Sequence, residues 1–285
     1  MNDFLETSTK TSYMKKIPVT LIKGTLIGVA NMIPGVSGGT MAVILGIYDQ
    51  LIESISQLLG SPSKWRQHAR FLITLAIGAV IGIVLFARLI EWVLVKHEQL
   101  ALLFFMGLIF GSIPFIIAHS RLKGLGMKEI LTIGVSLILV LILGMFRSTE
   151  PFLGTYLQDF TPLILFLVSI AAGGAMIVPG VSGSLVFLLF NQYTFLVEAV
   201  NDIVLGSIAI IVLGGILGVF VFAKIIHYAL TRWFSITHCA IIGLVGGSII
   251  VLFKGFPPNI QGTLFGVAFF LLGTILSVIA YRRRS

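Results

Sequence analysis

A short motif rich in glycine, proline and serine occurs twice in the chain. It reads IPGVSGG from Ile33 and VPGVSGS from Val178. Proline lacks a backbone donor and glycine favours irregular backbone, so each copy is predicted to interrupt a helix. A helix that begins after such a break presents free N–H groups and a partial positive charge, which suit a phosphate or a carboxylate. The repeated motif therefore predicts an anion-binding site.

The candidate anion-binding residues come from both copies of the motif and from two cations farther along the chain. Hydroxyls and an asparagine amide would add hydrogen-bond donors to the backbone amides. The candidates are Asn31, Pro34, Gly35, Ser37, Gly38, Gly39, Thr40, Pro179, Gly180, Ser182, Gly183, Ser184, Arg88 and Lys224. A structural role is the alternative, in which the motif residues only cap short helices and permit close packing.

Long apolar segments surround these residues. Of the 285 residues, 57% are hydrophobic and 11% are charged, whereas about a quarter of a soluble domain is charged. The apolar residues form runs near the roughly 20 residues that a membrane-spanning helix needs. The net charge of +8 comes from basic residues in the connections between these runs, where they determine topology. The composition predicts an all-α polytopic membrane protein whose partner is the bilayer and not nucleic acid.

The motif belongs to a longer internal repeat. In the register that matches Ser37 with Ser182, Glu53 also matches Glu198. A second register, shifted by a shorter loop, continues the match. It pairs Gly78, Gly82, Phe86, Ala87, Arg88, Gly107, Gly111 and Ser112 with Gly214, Gly218, Phe222, Ala223, Lys224, Gly243, Gly247 and Ser248. Common helix packing explains glycine matches alone, but it does not explain matched proline and glutamate.

Basic residues favour the cytoplasmic side of a membrane, and their positions place both ends of each motif segment on one face. We therefore predict re-entrant helical hairpins at residues 21–59 and 162–200. Residues 1–20 are predicted to be cytoplasmic without a cleaved signal peptide, and residues 149–161 to form an outer loop. Three transmembrane helices follow each hairpin, at about 71–95, 99–118 and 129–146 in repeat 1 (21–148) and about 203–230, 236–253 and 262–281 in repeat 2 (162–285). Because three crossings are an odd number, the repeats have inverted topology and both termini are cytoplasmic.

Four charged residues fall near membrane depth, where ionised groups are costly and are usually functional. The inverted topology places Arg88 at the depth of Glu198, and Lys224 at the depth of Glu53. Each pair could meet as a gate, or each cation could receive the anion on its own side. The two glutamates are candidates for gating or proton coupling. The alternative is that the long cationic side chains reach to the interface.

The sequence offers no metal, cofactor or enzyme motif. His97, His119, His227 and His238 are scattered at predicted helix ends without metal-ligand spacing. They are interpreted as interfacial, and no metal site is predicted. Cys239 is the only cysteine, which excludes an intrachain disulfide. Spacings of the HExxH or nucleotide-binding type are absent from the sequence, which favours a non-enzyme.

The segment GVANMIPGVSGGTMAVILGIYDQLIESI, from Gly28 to Ile55, closely resembles the signature of the DUF368 family of bacterial membrane proteins. The similarity runs through the whole chain and includes the second motif, PGVSGS. This resemblance implies a transporter that moves undecaprenyl phosphate, or a similar polyprenyl phosphate, across the cytoplasmic membrane for cell-wall synthesis. It implies that the two PGVSG tips hold the phosphate. Composition and spacing alone do not identify this cargo.

Two other functional classes share parts of this pattern. Undecaprenyl-pyrophosphate phosphatases combine inverted re-entrant hairpins with a PGxSRS-type phosphate loop. Here Gly38 follows Ser37 and Gly183 follows Ser182, so the phosphate-clamping arginine of that loop is missing. A small-anion transporter or channel could use the same tips, although only a lipid cargo needs a laterally open groove. The coupling ion and the oligomeric state do not follow from the sequence.

Overall fold

The computed structural model describes residues 17–33, 36–58, 64–120, 122, 124–145 and 162–282. Within these residues the regular secondary structure is entirely helical, which confirms the all-α prediction. The helices are α1 (Ile17–Asn31), α2 (Gly38–Ile44), α3 (Tyr48–Gln57), α4 (Trp65–His119), α5 (Met127–Met145), α6 (Pro162–Ile177), α7 (Gly183–Leu189), α8 (Tyr193–Asn201), α9 (Leu205–Arg232), α10 (Phe234–Leu252) and α11 (Ile260–Arg282). The expectations for residues 1–16 and 146–161 lie outside the described residues.

Five of these helices, α4, α5, α9, α10 and α11, are long and apolar enough to cross a membrane. The protein is therefore a multi-pass membrane protein. Helix α4 has 55 residues, more than twice the length that one crossing needs. The helices predicted at 71–95 and 99–118 correspond to the two arms of α4, which meet at a non-helical residue within the predicted gap.

The bend in α4 lies at His97, whose backbone φ of −141° and ψ of 40° are not helical. Neither glycine nor proline lies beside this residue to end the helix, so a single residue makes the break. The matching position in the second half is Trp233, between α9 and α10, with φ −132° and ψ 53°. The two halves therefore share this break between two consecutive helical segments.

The chain after each motif contains two short helices. Gly46 ends α2 in the left-handed conformation, with φ +60°. The amides of Gly46 and Ile47 bond to the carbonyls of Val43 and Ala42, which is the Schellman pattern. Asn191 ends α7 in the same way, with φ 54°. These stops divide each return segment into α2 and α3, and into α7 and α8.

The matched glycines make matched contacts in the two halves, here residues 17–145 and 162–282. A Cβ atom on Gly82 would meet the carbonyl of Thr25, and one on Gly218 would meet the carbonyl of Ile170. Thr25 and Ile170 are aligned in the register of Ser37 and Ser182. Close backbone approach therefore explains why these positions hold glycine.

The last helix of each half packs against the other half. Helix α11 lies along α4, where Gly107 meets the Phe270 carbonyl, and α5 lies along α10, where Gly243 meets the Ile133 carbonyl. The main buried core accordingly takes residues from both halves, Ile109 and Val245 among them. The halves thus form one interlocked body, while their inverted orientation stays a prediction.

Candidate functional site

The two motifs lie at the connections α1–α2 and α6–α7. We call residues 31–40 the first tip and residues 176–185 the second tip. Each short helix begins directly after a serine with extended backbone, Ser37 or Ser182. Pro34 and Gly35 of the first tip lie outside the described residues. Pro179, which is aligned with Pro34, is fully buried.

Hydroxyl groups of the first tip are buried and already bonded. The Thr40 amide donates to Ser37 Oγ at 3.1 Å, so Ser37 caps α2. Ser37 Oγ also lies 2.9 Å from Thr40 Oγ1. Beside them, a Cβ on Gly38 would lie 3.1 Å from Asn31 Oδ1, so the Asn31 side chain covers the start of α2. In this conformation the first tip therefore has the capping role that the sequence left open.

The two tips contact each other. The Gly180 amide donates to Thr40 Oγ1 at 2.8 Å, and Ser37 Oγ lies 3.5 Å from the Val178 carbonyl. Gly39 packs so close to the Ile177 carbonyl that a Cβ would lie 2.7 Å from its oxygen. Glycine at this position is explained by that approach.

The second tip is more open than the first. Ser182 makes no side-chain capping bond to α7, and its hydroxyl instead lies 2.8 Å from that of the exposed Ser184. Both serines line a small cavity of about 40 Å³ together with Gly180 and Ser248. Gly183 packs against Met176 of α6. The hydroxyls of this tip are therefore accessible to a ligand, unlike those of the first.

An apolar groove of about 910 Å³ adjoins the first tip. It runs between α1, α2, both arms of α4 and α11. Ile33 and Met41 line it at the tip, and Ala101 and Phe269 line it farther along. This volume is near the upper end of pockets that enclose small molecules, about 300 to 1,000 Å³. The apolar groove thus begins directly beside the first tip.

Comparison with known proteins assigns the family. A family model described as VCA0040-like, undecaprenyl phosphate translocase-like, matches residues 27–259. The chain belongs to this family. It is the DUF368 family of the sequence resemblance, which is thereby confirmed.

Two characterised relatives agree with that assignment. A protein of Staphylococcus aureus named polyprenyl-phosphate transporter is 31% identical over 91% of this chain and 94% of its own length. A protein of the same name from Vibrio cholerae is 34% identical over 81% of this chain and 75% of its own. These names describe transporters, in agreement with the expectation of a non-enzyme. No solved structure matches the chain significantly.

All four charged residues that were predicted to lie near membrane depth are exposed in the structure: Arg88, Glu198, Lys224 and Glu53. Among the described residues, no ion pair joins Arg88 to Glu198 or Lys224 to Glu53. Helix α3, which carries Glu53, does pack against α9, which carries Lys224. The predicted charge pairs are therefore not formed in this conformation.

A cationic cavity of about 510 Å³ lies at the start of α1 and α4. Lys23, Arg66 and Arg70 line it with the amide side chains of Gln50 and Gln67. In the sequence these basic residues indicated only orientation, because nothing in their spacing shows that α1, α3 and α4 meet around one space. Charge and polarity make this cavity suitable for an anionic group at the membrane surface.

Two histidines that looked scattered lie together in the structure. Nε2 of His119 is 3.0 Å from Oδ2 of Asp49, and Nε2 of His238 is 3.7 Å from the same oxygen. Both were interpreted as interfacial residues scattered at helix ends, and the sequence did not show that they are neighbours. Since His119 ends α4 and His238 begins α10, only the packing of the two halves brings them together.

Proposed function

We propose that the protein moves a polyprenyl phosphate, such as undecaprenyl phosphate, between the leaflets of the bacterial cytoplasmic membrane. Its family and the names of its relatives support this cargo. A phosphate monoester carries a charge of about −1.5 to −2 at neutral pH. Such a group does not enter an apolar interior without hydrogen-bond donors. The protein therefore has to supply donors at membrane depth beside a path for the tail.

The observation that carries this proposal is that the apolar groove lies directly beside the first tip, which in turn contacts the second tip. Ile33 and Met41 line the groove, and they lie on either side of the Ser37 cap. A lipid with one charged head and a long isoprenoid tail matches this arrangement. The head would bind at the tips while part of the tail lies in the groove, which a small inorganic anion would not need.

We assign the phosphate to the second tip in the present conformation. Ser182, Ser184 and the uncapped start of α7 are accessible there, whereas Ser37 and Thr40 are occupied by capping and by the second tip. Gly38, Gly39, Gly180, Gly183 and the two prolines shape the tips, and Asn31 covers the first. Arg88 and Lys224 would receive the phosphate at opposite faces.

The two hairpins differ in a way that suits alternating access. Helix α3 packs across the halves on α9, where Gln57 Nε2 lies 3.3 Å from His227 Nε2. Its counterpart α8 packs on its chain neighbours α7 and α9. We infer that the two repeats alternate between these arrangements. One hairpin then closes its face of the membrane while the other is open, and the roles are reversed in the next state. Glu53 and Glu198 would then act as gates or proton carriers.

Our proposed orientation places both termini and the α4–α5 connection in the cytoplasm. Gly124 in this connection and Gly206 near the start of α9 have open space where a Cβ would stand. In a Cys239→Ala background, an impermeant thiol reagent added to intact cells should label Gly206→Cys and spare Gly124→Cys. After cell lysis the reagent should label both variants to the same extent. Labelling of Gly124→Cys in intact cells would overturn the orientation.

Transport itself is tested by flipping of a short-chain polyprenyl phosphate in proteoliposomes. Two alanines on α4 provide a matched pair, since Ala101 lines the groove beside the first tip and Ala118 is exposed near the end of the same helix. Ala101→Trp should slow flipping by filling the groove, and Ala118→Trp should not. Equal rates in these two variants would contradict the assigned tail path, and no flipping by the wild type would overturn the proposed function.

A further inference from the structure

We propose that Asp49, His119 and His238 form a binding site for a divalent transition-metal ion of the Zn²⁺ class. The three ligand atoms lie within 4.8 Å of one another. Two ligands of a tetrahedral Zn²⁺, at bond lengths of about 2.0 to 2.1 Å, are about 3.3 Å apart. The observed separations from Asp49 Oδ2, 3.0 Å and 3.7 Å, bracket that value. Coordination would then require side-chain rotations that also bring the two imidazole nitrogens, now within 4.8 Å of each other, to that separation.

His238 is oriented as metal-binding histidines are. Its Nδ1 lies 2.9 Å from the carbonyl oxygen of Phe234, and only a protonated nitrogen can donate to a carbonyl. The neutral ring then carries its lone pair on Nε2, which faces Asp49. A hydrogen bond from the second ring nitrogen to a backbone carbonyl is the usual outer-shell support of a histidine ligand.

This arrangement points a lone pair of His238 at a carboxylate oxygen. Neither atom can donate to the other, so a positive charge between them is needed to make the contact favourable. That charge is either a second proton on His238 or a metal ion. His119 Nε2 lies 3.0 Å from the same carboxylate oxygen. This third group favours the metal, because two imidazoles and a carboxylate are typical Zn²⁺ ligands.

The surroundings hold the three side chains in place. His238 is 3% exposed, and the Phe234 ring packs on it with centroids 4.2 Å apart. Phe115 stacks on His119 at 5.9 Å. A cavity of about 240 Å³ adjoins all three ligands, so water could complete the coordination sphere. The site is therefore prearranged on one side and open on the other.

The site has no counterpart at the other end of the molecule. The residues aligned with Asp49, His119 and His238 are Thr194, Gly255 and Leu102, and none of the three is a usual zinc ligand. A bound ion would join α3 of the first half to α10 of the second. Metal binding is thus a separate property from phosphate recognition, and it goes beyond the proposed transport.

Metal binding is tested on the full chain, purified in detergent with a histidine-free affinity tag and stripped with a chelator. Calorimetric titration with Zn²⁺ should give one site per chain. Asp49→Asn, His119→Gln and His238→Gln should each weaken binding more than about 100-fold, because removing a ligand exceeds the 10- to 100-fold effect of an outer-shell change. His97→Gln removes an exposed histidine elsewhere and should bind as the wild type does.

Folding of each variant is checked by its elution as a single species in size-exclusion chromatography. Asp49→Glu keeps a carboxylate and should therefore retain more affinity for Zn²⁺ than Asp49→Asn. Stripped wild-type protein that binds no Zn²⁺ at micromolar concentration would overturn the proposal, as would equal binding by all three ligand variants. Since no lipid is present in this titration, its failure leaves the transport assignment unaffected.

Discussion

The amide of Gly180 donates a hydrogen bond to the hydroxyl of Thr40 across 2.8 Å. These residues are 140 positions apart in the chain, yet they occupy the two copies of one motif. Thr40 Oγ1 in turn lies 2.9 Å from Ser37 Oγ, which lies 3.5 Å from the Val178 carbonyl. If Thr40 donates to Ser37 and Ser37 donates to the Val178 carbonyl, the three hydrogen bonds form a continuous series that begins at Gly180 and ends at Val178, both in the second tip.

Thr40→Val is expected to break this chain and to destabilise the tip contact. The substitution keeps the shape of the side chain but leaves the Gly180 amide without its acceptor, which costs about 1 to 3 kcal/mol. Thr40→Ser retains the oxygen and is the matched control. Thermal unfolding in detergent should rank wild type and Thr40→Ser above Thr40→Val. Equal stability of the valine and serine variants would show that this bond contributes little.

Position 46 provides a second test, because the chain carries its own control. Gly46 has a φ of +60° and its aligned Asn191 has a φ of 54°. Alanine in this conformation costs roughly 1 to 2 kcal/mol, while asparagine tolerates it. Gly46→Ala should therefore lower the unfolding temperature, and Gly46→Asn should lower it less. A ranking of alanine at or above asparagine would argue against the shared helix stop.

The sequence repeat predicted which glycines would make matched close contacts, since Gly82 and Gly218 meet aligned carbonyls. It placed a break between residues 95 and 99, where His97 bends α4, but it did not show that a single residue with unusual φ and ψ makes that break. Nor could it bring His119 to His238, since that contact depends on how the two halves pack. Hydrophobic periodicity indicates which face of a helix is buried, but it does not indicate which other helix packs against that face.

Cations Arg88 and Lys224 are expected to act at opposite faces. Arg88→Ala should weaken capture of lipid from the outer leaflet, and Lys224→Ala should weaken exchange at the inner leaflet. A charge-assisted bond to phosphate contributes about 1.5 to 3 kcal/mol, so roughly 10- to 100-fold weaker binding is expected. Flipping measured separately in each direction provides the readout.

Controls for these two variants lie on the same helices. Lys96→Ala removes an exposed cation near the end of the first arm of α4, and Arg232→Ala removes the last cation of α9. Both should flip lipid at the wild-type rate in either direction. Wild-type behaviour of Arg88→Ala and Lys224→Ala as well would show that these long side chains only reach to the interface.

Zinc is expected to slow transport through Asp49. An ion that joins α3 to α10 would hold α3 in its contact with α9, where Gln57 lies 3.3 Å from His227. Because alternating access requires that contact to open, wild-type flipping in proteoliposomes should fall when Zn²⁺ saturates the site and recover with chelator. The quantity to compare is the ratio of rates with and without Zn²⁺, since Asp49→Asn can change the basal rate by itself. That ratio should be near one in Asp49→Asn and well below one in His97→Gln. Equal inhibition of Asp49→Asn and wild type would mean that Zn²⁺ acts on the membrane or the lipid phosphate instead.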